Sequence, residues 1–410
     1  MLLRAAPFVV AALLAACAAA PPAEESLGAA STETAPSDSS SDRFRIDPEP
    51  VWRWIDDGSQ LPVRLDEQSV AGRLVMATGR SSSDRGPGVA VADAESGAFL
   101  WELESLGPVK GFDIEVEFEG YLGAALAGSD DAPVVVIPYY ARGCLNDACA
   151  PGSDQEGVLG LEARTGEVRW VSPIDESNRQ VAGGRTSVPV VATGPDAAMY
   201  GDPIPVLDET RITVLDTADG AERWAFEGAW PEHVADELVA AWTGSDELTL
   251  LDLDTGKEIM TTSAPFGDTV VHSSKDLLAL ETRRSLRLID PAGGSELTEI
   301  EGVRGVLVDA ETGLVVFREP EEPTLFTSLA PGEAEPTASG EPLPADFRPR
   351  LAAGGHIFAH HSDDDVTIVV DRTGAALSDR LPGHPVALIG DLLILREGRV
   401  VTAYQRTEAQ

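Results

Sequence analysis

Positive charge is scarce in this chain. Its 410 residues include 30 lysine and arginine residues against 69 aspartate and glutamate residues, for a net charge of -39. Lysine occurs at three positions, Lys110, Lys257 and Lys275. A surface this acidic repels phosphate backbones and anionic lipid head groups. The composition therefore disfavours a nucleic-acid partner, and any attachment to a membrane needs a separate device.

Common catalytic signatures are also missing. The sequence has no GxSxG elbow, no HExxH pair and no GxxxxGK[ST] loop. The hypotheses of a common hydrolase, a zinc protease or a nucleotide-binding protein therefore lack support. The densest cluster of candidate metal ligands lies in HIFAHHSDDD and comprises His360, His361, Asp363, Asp364 and Asp365. Such a cluster can hold calcium or a transition metal, but a solvated hairpin tip has the same composition. We favour the hairpin tip and predict no metal, no cofactor and no catalytic residue.

Long apolar runs are absent, since no segment approaches the ~20 apolar residues of a membrane-spanning helix. A shorter run at residues 5–14 follows a basic start and ends in LAAC at Cys17. This arrangement resembles the lipobox of bacterial lipoproteins. The resemblance implies that residues 1–16 are a signal peptide and that Cys17 is diacylated, which places the protein on the extracytoplasmic side of a bacterial membrane. The alternative is an ordinary secretory signal cleaved near Ala20.

Residues 17–50 are poor in large apolar side chains and rich in proline, serine, threonine and acidic residues. Such a segment buries too little apolar surface to offset the entropy of ordering it. We expect a flexible lipidated tether here, and a folded domain over residues 51–410 that begins near Val51.

One motif recurs through that domain. Four copies read VAVADAESGAFLW, LGLEARTGEVRW, ITVLDTADGAERW and LTLLDLDTGKEIM, and three weaker copies follow. Their turn glycines are Gly97, Gly166, Gly220, Gly256, Gly294, Gly332 and Gly374, spaced 36 to 69 residues apart. A period of about 40 residues with alternating apolar positions is typical of a β-propeller with four strands in each blade.

The parts of the motif have separate physical roles. The aspartate can bind amides of the turn, and the glycine supplies a positive φ. The tryptophan four residues after the glycine, at Trp101, Trp170 and Trp224, is predicted to pack between neighbouring blades rather than to bind a ligand.

The two ends of the chain complete one hairpin. VWRW, residues 51–54, resembles the strand after a turn, as in EVRW at residues 167–170, whereas RVVTAYQR, residues 399–406, resembles the strand before one. We therefore expect the N-terminal strand to close the ring, because closure removes the exposed strand edges at the seam. Seven turn motifs and this composite predict eight blades. Seven blades is the alternative, since the copies at Gly332 and Gly374 are weak.

The repeat LxxLDxxTGxxxW resembles that of the β-propellers related to pyrroloquinoline-quinone (PQQ) dehydrogenases. That group also includes the lipoprotein of the outer-membrane β-barrel assembly machine. The resemblance covers nearly all of residues 51–406 and implies the fold, but enzymes and scaffolds share it. The quinone enzymes carry two adjacent cysteines and a calcium site, whereas Cys144 and Cys149 are separated here, so those features are not transferred.

Cysteine is rare, with three residues in the chain. If Cys17 is acylated, Cys144 and Cys149 can form a disulfide in an oxidising compartment. The bond would pinch a long loop; a metal site at this pair would need further ligands, and no histidine is near in sequence.

Two classes of function fit these features. We favour a membrane-anchored, monomeric propeller that acts as a protein-binding or scaffold module of the cell envelope. The alternative is a small-ligand or metal-binding sensor, or an enzyme, that uses the central channel of the propeller.

Overall fold

The computed structural model describes most of the folded domain. The described residues are 44–55, 70–71, 73–80, 87–103, 106–108, 115–117, 124–128, 131–141, 155–173, 190–193, 197–201, 211–234, 238–274, 276–291, 294–318, 325–331, 333 and 336–407. Within these ranges, no helix has the length and apolar character required to cross a membrane.

The described residues form β-strands joined by turns and loops. The first strands in chain order are β1 (Arg45–Ile46), β2 (Trp52–Ile55), β3 (Val70–Ala71), β4 (Leu74–Arg80), β5 (Pro87–Asp93), β6 (Phe99–Leu103), β7 (Leu106–Pro108), β8 (Glu115–Glu117), β9 (Ala125–Ala127), β10 (Val134–Ala141), β11 (Gln155–Glu162) and β12 (Val168–Pro173). The middle of the chain forms β13 (Val190–Thr193), β14 (Ala197–Gly201), β15 (Arg211–Asp216), β16 (Glu222–Glu227), β17 (Trp230–Val234), β18 (Leu238–Gly244), β19 (Glu247–Asp252), β20 (Glu258–Ser263), β21 (Thr269–Ser274), β22 (Leu277–Thr282), β23 (Ser285–Ile289) and β24 (Glu296–Glu301). The last strands are β25 (Arg304–Val308), β26 (Val315–Arg318), β27 (Thr327–Leu329), β28 (Thr337–Ala338), β29 (Phe347–Ala353), β30 (His356–His361), β31 (Val366–Val370), β32 (Leu381–Pro382), β33 (His384–Ile389), β34 (Leu392–Glu397) and β35 (Val400–Thr407).

These strands form eight antiparallel sheets, which are the blades of a propeller. We number them along the chain. Blade one is β3–β6, blade two β7–β12, blade three β13–β16, blade four β17–β20, blade five β21–β24, blade six β25–β28, blade seven β29–β32, and blade eight β33–β35 with β1 and β2. The count of eight is confirmed and the alternative of seven is wrong. The long intervals between the first turn glycines are single blades, and blade two carries extra short strands.

The repeated motif forms the turn between the third and fourth strands of a blade. In blade four, the Asp252 carboxylate accepts hydrogen bonds from the backbone N–H of Thr255 at 2.7 Å and from its hydroxyl at 2.5 Å. The backbone N–H of Gly256 donates to the Asp252 carbonyl at 2.9 Å, and Gly256 has a φ of 66°. A β-branched residue would resist that φ, so the sequence and the turn geometry agree.

The N-terminal strand closes the ring, as the sequence predicted. Strand β2 pairs antiparallel with β35, with Trp52 opposite Ala403 and Trp54 opposite Val401. The pairing adds β2 as the outer strand of blade eight, because β35 already pairs with β34 on its other side. This hairpin is built from the two ends of the chain.

The described fold begins earlier than Val51, where the sequence analysis placed it. Strand β1 pairs with the end of β35, and Phe44 is buried against Phe358, with ring centroids 5.6 Å apart. The Arg406 guanidinium also lies over the Phe44 ring at 5.0 Å. One aromatic anchor thus holds residues that the composition assigned to the tether.

The blades are arranged around an axis lined by their first strands, since β25 contacts β29 and β29 contacts β33. Strand direction alternates within a blade, so the two ends of the propeller are distinct. We call the end of the propeller that carries the turns of Gly220 and Gly256 the lower face. The loops between blades, and those between second and third strands, lie at the opposite end, which we call the upper face.

Candidate binding surfaces

The motif tryptophans each meet the turn glycine of the next blade. Trp101 lies on Gly166, Trp170 on Gly220 and Trp224 on Gly256, so closely that a Cβ on these glycines would come within 2.6 to 2.9 Å of an indole ring. Each indole Nε1 also donates to a backbone carbonyl of that turn, at Ala163, Thr217 and Leu253 respectively. These residues connect neighbouring blades by packing and hydrogen bonding.

The closing strand supplies the same contact through an unexpected residue. Gly97 receives Trp52, whose Nε1 donates to the Ala94 carbonyl at 2.6 Å, the position equivalent to Ala163 in the next blade. Trp54 lies beside it, stacked at 4.4 Å, and donates to the Gly97 carbonyl at 2.7 Å. The sequence alignment of VWRW with EVRW equated Trp54 with Trp170 and is therefore off by two residues. Trp52 is the counterpart of Trp170.

The other site residues predicted from the sequence do not, where the structure describes them, share this tryptophan–glycine contact. Gly294 lies against Ile259 and Met260, which take the place of a tryptophan, and a Cβ on Gly374 would come 2.3 Å from the Glu341 carbonyl oxygen. Cys17, Cys144, Cys149 and Gly332 lie outside the described residues.

One copy of the turn was not predicted from the sequence. DAETG in blade six forms it at Asp309, whose carboxylate accepts from the hydroxyl of Thr312, while Gly313 N–H donates to the Asp309 carbonyl at 2.8 Å. This copy joins the first and second strands rather than the third and fourth. The five-residue signal was present in the sequence, but its position breaks the period used to align the others.

An open groove of about 1000 Å³ lies at the upper face of blades four to six. Its walls come from three chain regions, namely the loop after β20, the β22–β23 turn and the outer edge of blade five with the residues that follow. The lining residues are Ser263, Pro265, Asp268, Thr282, Arg283, Arg284, Ser285, Arg287, Glu296, Glu299, Glu301, Gly302 and Arg304. No single sequence motif contains these residues, so the groove could not be predicted from sequence motifs.

The loop after β20 and the start of β21 present apolar side chains to solvent. Phe266 is 44% exposed and Val270 is 51% exposed. The Phe266 ring rests edge-on against two buried indoles, Trp230 at 5.2 Å and Trp242 at 5.4 Å. Trp242 is fixed in turn by donating to the Glu232 carboxylate at 2.7 Å. Burial raises the pKa of Glu232, and the bond from Trp242 opposes that rise. Phe266 is therefore an exposed aromatic ring on a rigid base.

Ion pairs organise the charges of the groove. Arg283 pairs with Asp268 at 2.8 Å and Arg287 with Glu296 at 2.6 Å. Arg287 also donates to the Ser263 carbonyl at 3.0 Å, which joins blade five to the end of blade four. The groove thus combines paired cations and anions with exposed apolar side chains beside them. This composition is suited to contact with another protein.

The histidine and aspartate cluster of blade seven is a hairpin tip whose imidazoles diverge. His360 is buried and its ring lies 4.8 Å from that of His384 in blade eight, whereas His361 packs on Phe347 at 5.2 Å. Asp365 reaches His360 at 3.6 Å. Within the described ranges, no three histidine, cysteine, aspartate or glutamate side chains are grouped to hold a metal ion.

A partly buried histidine contacts a serine between blades four and five. His233 Nε2 lies 2.6 Å from Ser273 Oγ. Burial, with a contribution from nearby His272, lowers the pKa of His233 to about 4. A nucleophile and base of this kind require a third group that orients the imidazole. Among the described residues, no carboxylate is hydrogen-bonded to His233, so the pair is a structural contact between the two blades.

A family model described as outer membrane protein assembly factor BamB matches residues 49–227. The crystal structure of BamB from Moraxella catarrhalis aligns with a TM-score of 0.53 and 16% sequence identity, over 88% of this chain and 98% of that one. The computationally designed protein Ika8 aligns with a TM-score of 0.48 and 13% identity, over 84% of this chain and 100% of that one. No curated protein matches the sequence.

The repeat resemblance is consistent with the family match over residues 49–227. The predicted repeat group is confirmed by the family match and by the eight blades. The chain is an eight-bladed β-propeller, and its residues 49–227 match the family model described as outer membrane protein assembly factor BamB.

Proposed function

We propose that this chain is a protein-binding scaffold of the bacterial cell envelope, anchored at the extracytoplasmic face of a membrane by a lipid on Cys17. Two independent features support the envelope assignment. The lipobox-like LAAC sequence ends at Cys17. The family model that matches residues 49–227 describes an outer membrane protein assembly factor. The acidic composition supports a lipid anchor, since the surface has little attraction for anionic membranes.

The observation that carries the binding role is the exposed Phe266 ring beside the charged groove. Aromatic and arginine side chains dominate the energy of protein interfaces, above all where they are held rigidly and surrounded by contacts that exclude water. Phe266 packs on Trp230 and Trp242, and the largely buried Arg287 is held by its ion pair with Glu296. Arg283 is 80% exposed, so its pair with Asp268 constrains it less. The partner we propose is a folded envelope protein whose apolar contact covers Phe266 and Val270.

Site-specific photo-crosslinking in cells tests this proposal. A benzophenone side chain is placed at Val270, beside the groove, and in a matched strain at Leu100, which is 41% exposed on the outer strand of blade one. We expect one dominant adduct from Val270 and not from Leu100. Mass spectrometry identifies the partner, and the purified partner is then titrated against the purified propeller. The same adducts from both positions, or no binding between the purified proteins, would contradict the proposal.

A further inference from the structure

Arginine and histidine side chains face each other at the upper ends of blades six, seven and eight. In each blade, one member lies near the beginning of the first strand and the other near the end of the second. The directly opposed pairs are Arg304 with Arg318, Arg348 with His360, and His384 with Arg396. Like charges directly opposite each other on neighbouring strands destabilise a sheet. Arg304 and Arg318 are such a pair. In the other two pairs an arginine faces a histidine whose pKa is lowered by burial, so repulsion arises there only when the histidine is protonated. Arginines without a facing carboxylate are unexpected in so acidic a chain, and they imply a use that offsets their cost.

These pairs form one cluster around Arg350. The His360 and His384 rings, from different blades, are 4.8 Å apart. The charge of Arg350 acts on Arg318 in blade six, on His360 in its own blade and on His384 in blade eight. We call the cluster the cationic rim, and its members are Arg304, Arg318, Arg348, Arg350, His360, His384 and Arg396.

Among the described residues, the carboxylates whose charge acts on Arg318, His360 and His384 are those of Glu281 and Asp365. Asp365 lies 3.6 Å from His360 Nε2. Glu281 is the carboxylate whose charge reaches Arg318, but its oxygens already accept from the Gly305 N–H at 2.8 Å and contact His272 Nε2 at 3.3 Å. In the part of the chain that the structure describes, no carboxylate forms an ion pair with Arg304, Arg318, Arg348 or Arg350.

Backbone contacts orient two of the guanidinium groups. Arg348 donates to the Phe347 carbonyl at 2.7 Å, and Arg396 donates to the Gly398 carbonyl at 3.1 Å. A guanidinium group matches a carboxylate or a phosphoryl group with two parallel hydrogen bonds. The first strands of these blades line the axis, so the rim lies at the mouth of the central channel.

We propose that the cationic rim binds a small polyanion with carboxylate or phosphoryl groups at the upper mouth of the channel. This site shares Arg304 with the groove beside Phe266. Its other members are not groove residues, and anion binding here does not depend on the scaffold role. The bound anion would offset the repulsion among the arginines, since the charges of Arg348 and Arg350 both act on Arg318.

Protonation of the histidines should strengthen binding. Burial, followed by the charge of His384, lowers the pKa of His360, and burial lowers that of His384 with contributions from Arg350 and Arg396. Both rings face these cations, and Asp365 is the carboxylate that opposes them. A bound anion raises both pKa values, so proton uptake and anion binding are coupled, and affinity should rise as pH falls.

Isothermal titration calorimetry on the full chain tests the site with citrate and with pyrophosphate, against chloride at the same ionic strength. We expect saturable binding of at least one probe, and the tighter probe identifies the preferred group. Arg350→Gln and Arg318→Gln should each weaken binding about tenfold or more, whereas Arg73→Gln, at an exposed pair with Glu95, should leave it unchanged. Affinity should be higher at about pH 6 than at about pH 8.

A second readout separates a binding role from a structural one. Without ligand, Arg350→Gln should keep or raise the melting temperature, because it removes repulsion within the rim. A lower melting temperature would assign Arg350 a structural role and overturn the proposal. Absence of saturable binding to both probes, or equal affinity in wild type and Arg350→Gln, would also overturn it.

Discussion

Trp170 in blade two lies against Gly220 in blade three, and a Cβ added to Gly220 would come within 2.6 Å of the indole ring. The indole Nε1 also donates to the Thr217 carbonyl at 2.9 Å. The repeat therefore encodes contacts between blades: the tryptophan of one copy needs the glycine of the next. This explains why the motif identifies the fold and does not identify a ligand.

Replacing Gly220 tests this dependence, with Gly228 as a matched control. Both glycines have positive φ, 72° and 74°, but nothing lies within 4 Å of a Cβ on Gly228. We expect Gly228→Ala to lower the free energy of unfolding by about 1–2 kcal/mol through backbone strain alone. Gly220→Ala should cost about 1–3 kcal/mol more, because Trp170 must move. Urea denaturation measures both, and equal losses would show that the indole does not require the glycine.

Ring closure predicts a strong effect from a short deletion at β2. Removing residues 51–55 eliminates Trp52 and Trp54 and exposes an edge of β35. An unpaired edge invites pairing between molecules. We expect aggregation or loss of cooperative unfolding, measured by light scattering and thermal denaturation, whereas deletion of residues 24–30 should alter neither. Identical behaviour of the two deletion variants would refute closure by the N-terminal strand.

Much of this fold could be predicted because each repeat carries its own strand and turn signals. The register of β2 could not, since VWRW has no turn of its own and two tryptophans on one face fit the same alternation. The start of the fold was also misplaced, because Phe44 is a single aromatic anchor in a polar segment. The groove and the cationic rim escaped prediction for a different reason. Their residues are brought together by packing of separate blades and by cross-strand register, neither of which a single sequence displays.

Acid should destabilise the fold partly through His233. Burial lowers its pKa from 6.5 to about 4, so the folded state keeps the ring neutral while the unfolded chain binds a proton below pH 6.5. This stabilisation is complete above pH 6.5 and is lost as the pH falls towards 4, with a full value of about 3 kcal/mol. His233→Gln should flatten the dependence of the unfolding free energy on pH in that window.

Ser273→Ala provides the control for His233. It removes the hydroxyl that contacts His233 Nε2 and leaves the imidazole in place. We expect this variant to retain the wild-type slope between about pH 6.5 and pH 4, because the buried ring still titrates. A wild-type slope in His233→Gln would show that another group causes the acid sensitivity.

Lipid anchoring predicts that Cys17→Ser releases the protein from membranes. The acyl chains supply the attraction, and the net charge of -39 gives the surface none for anionic lipids. After membrane fractionation with a salt wash, we expect the variant in the soluble fraction with an unchanged melting temperature. A variant that stays with the membranes would contradict anchoring through Cys17.

The most direct measurement of the scaffold role is the dependence of partner binding on Phe266. The purified partner identified from Val270 is titrated against wild type, Phe266→Ala and Leu100→Ala, each with an unchanged melting temperature as the condition for comparison. We expect Phe266→Ala to weaken binding about thirtyfold, as for a central aromatic anchor, and Leu100→Ala to have no effect. Equal affinity of wild type and Phe266→Ala would contradict docking at this groove.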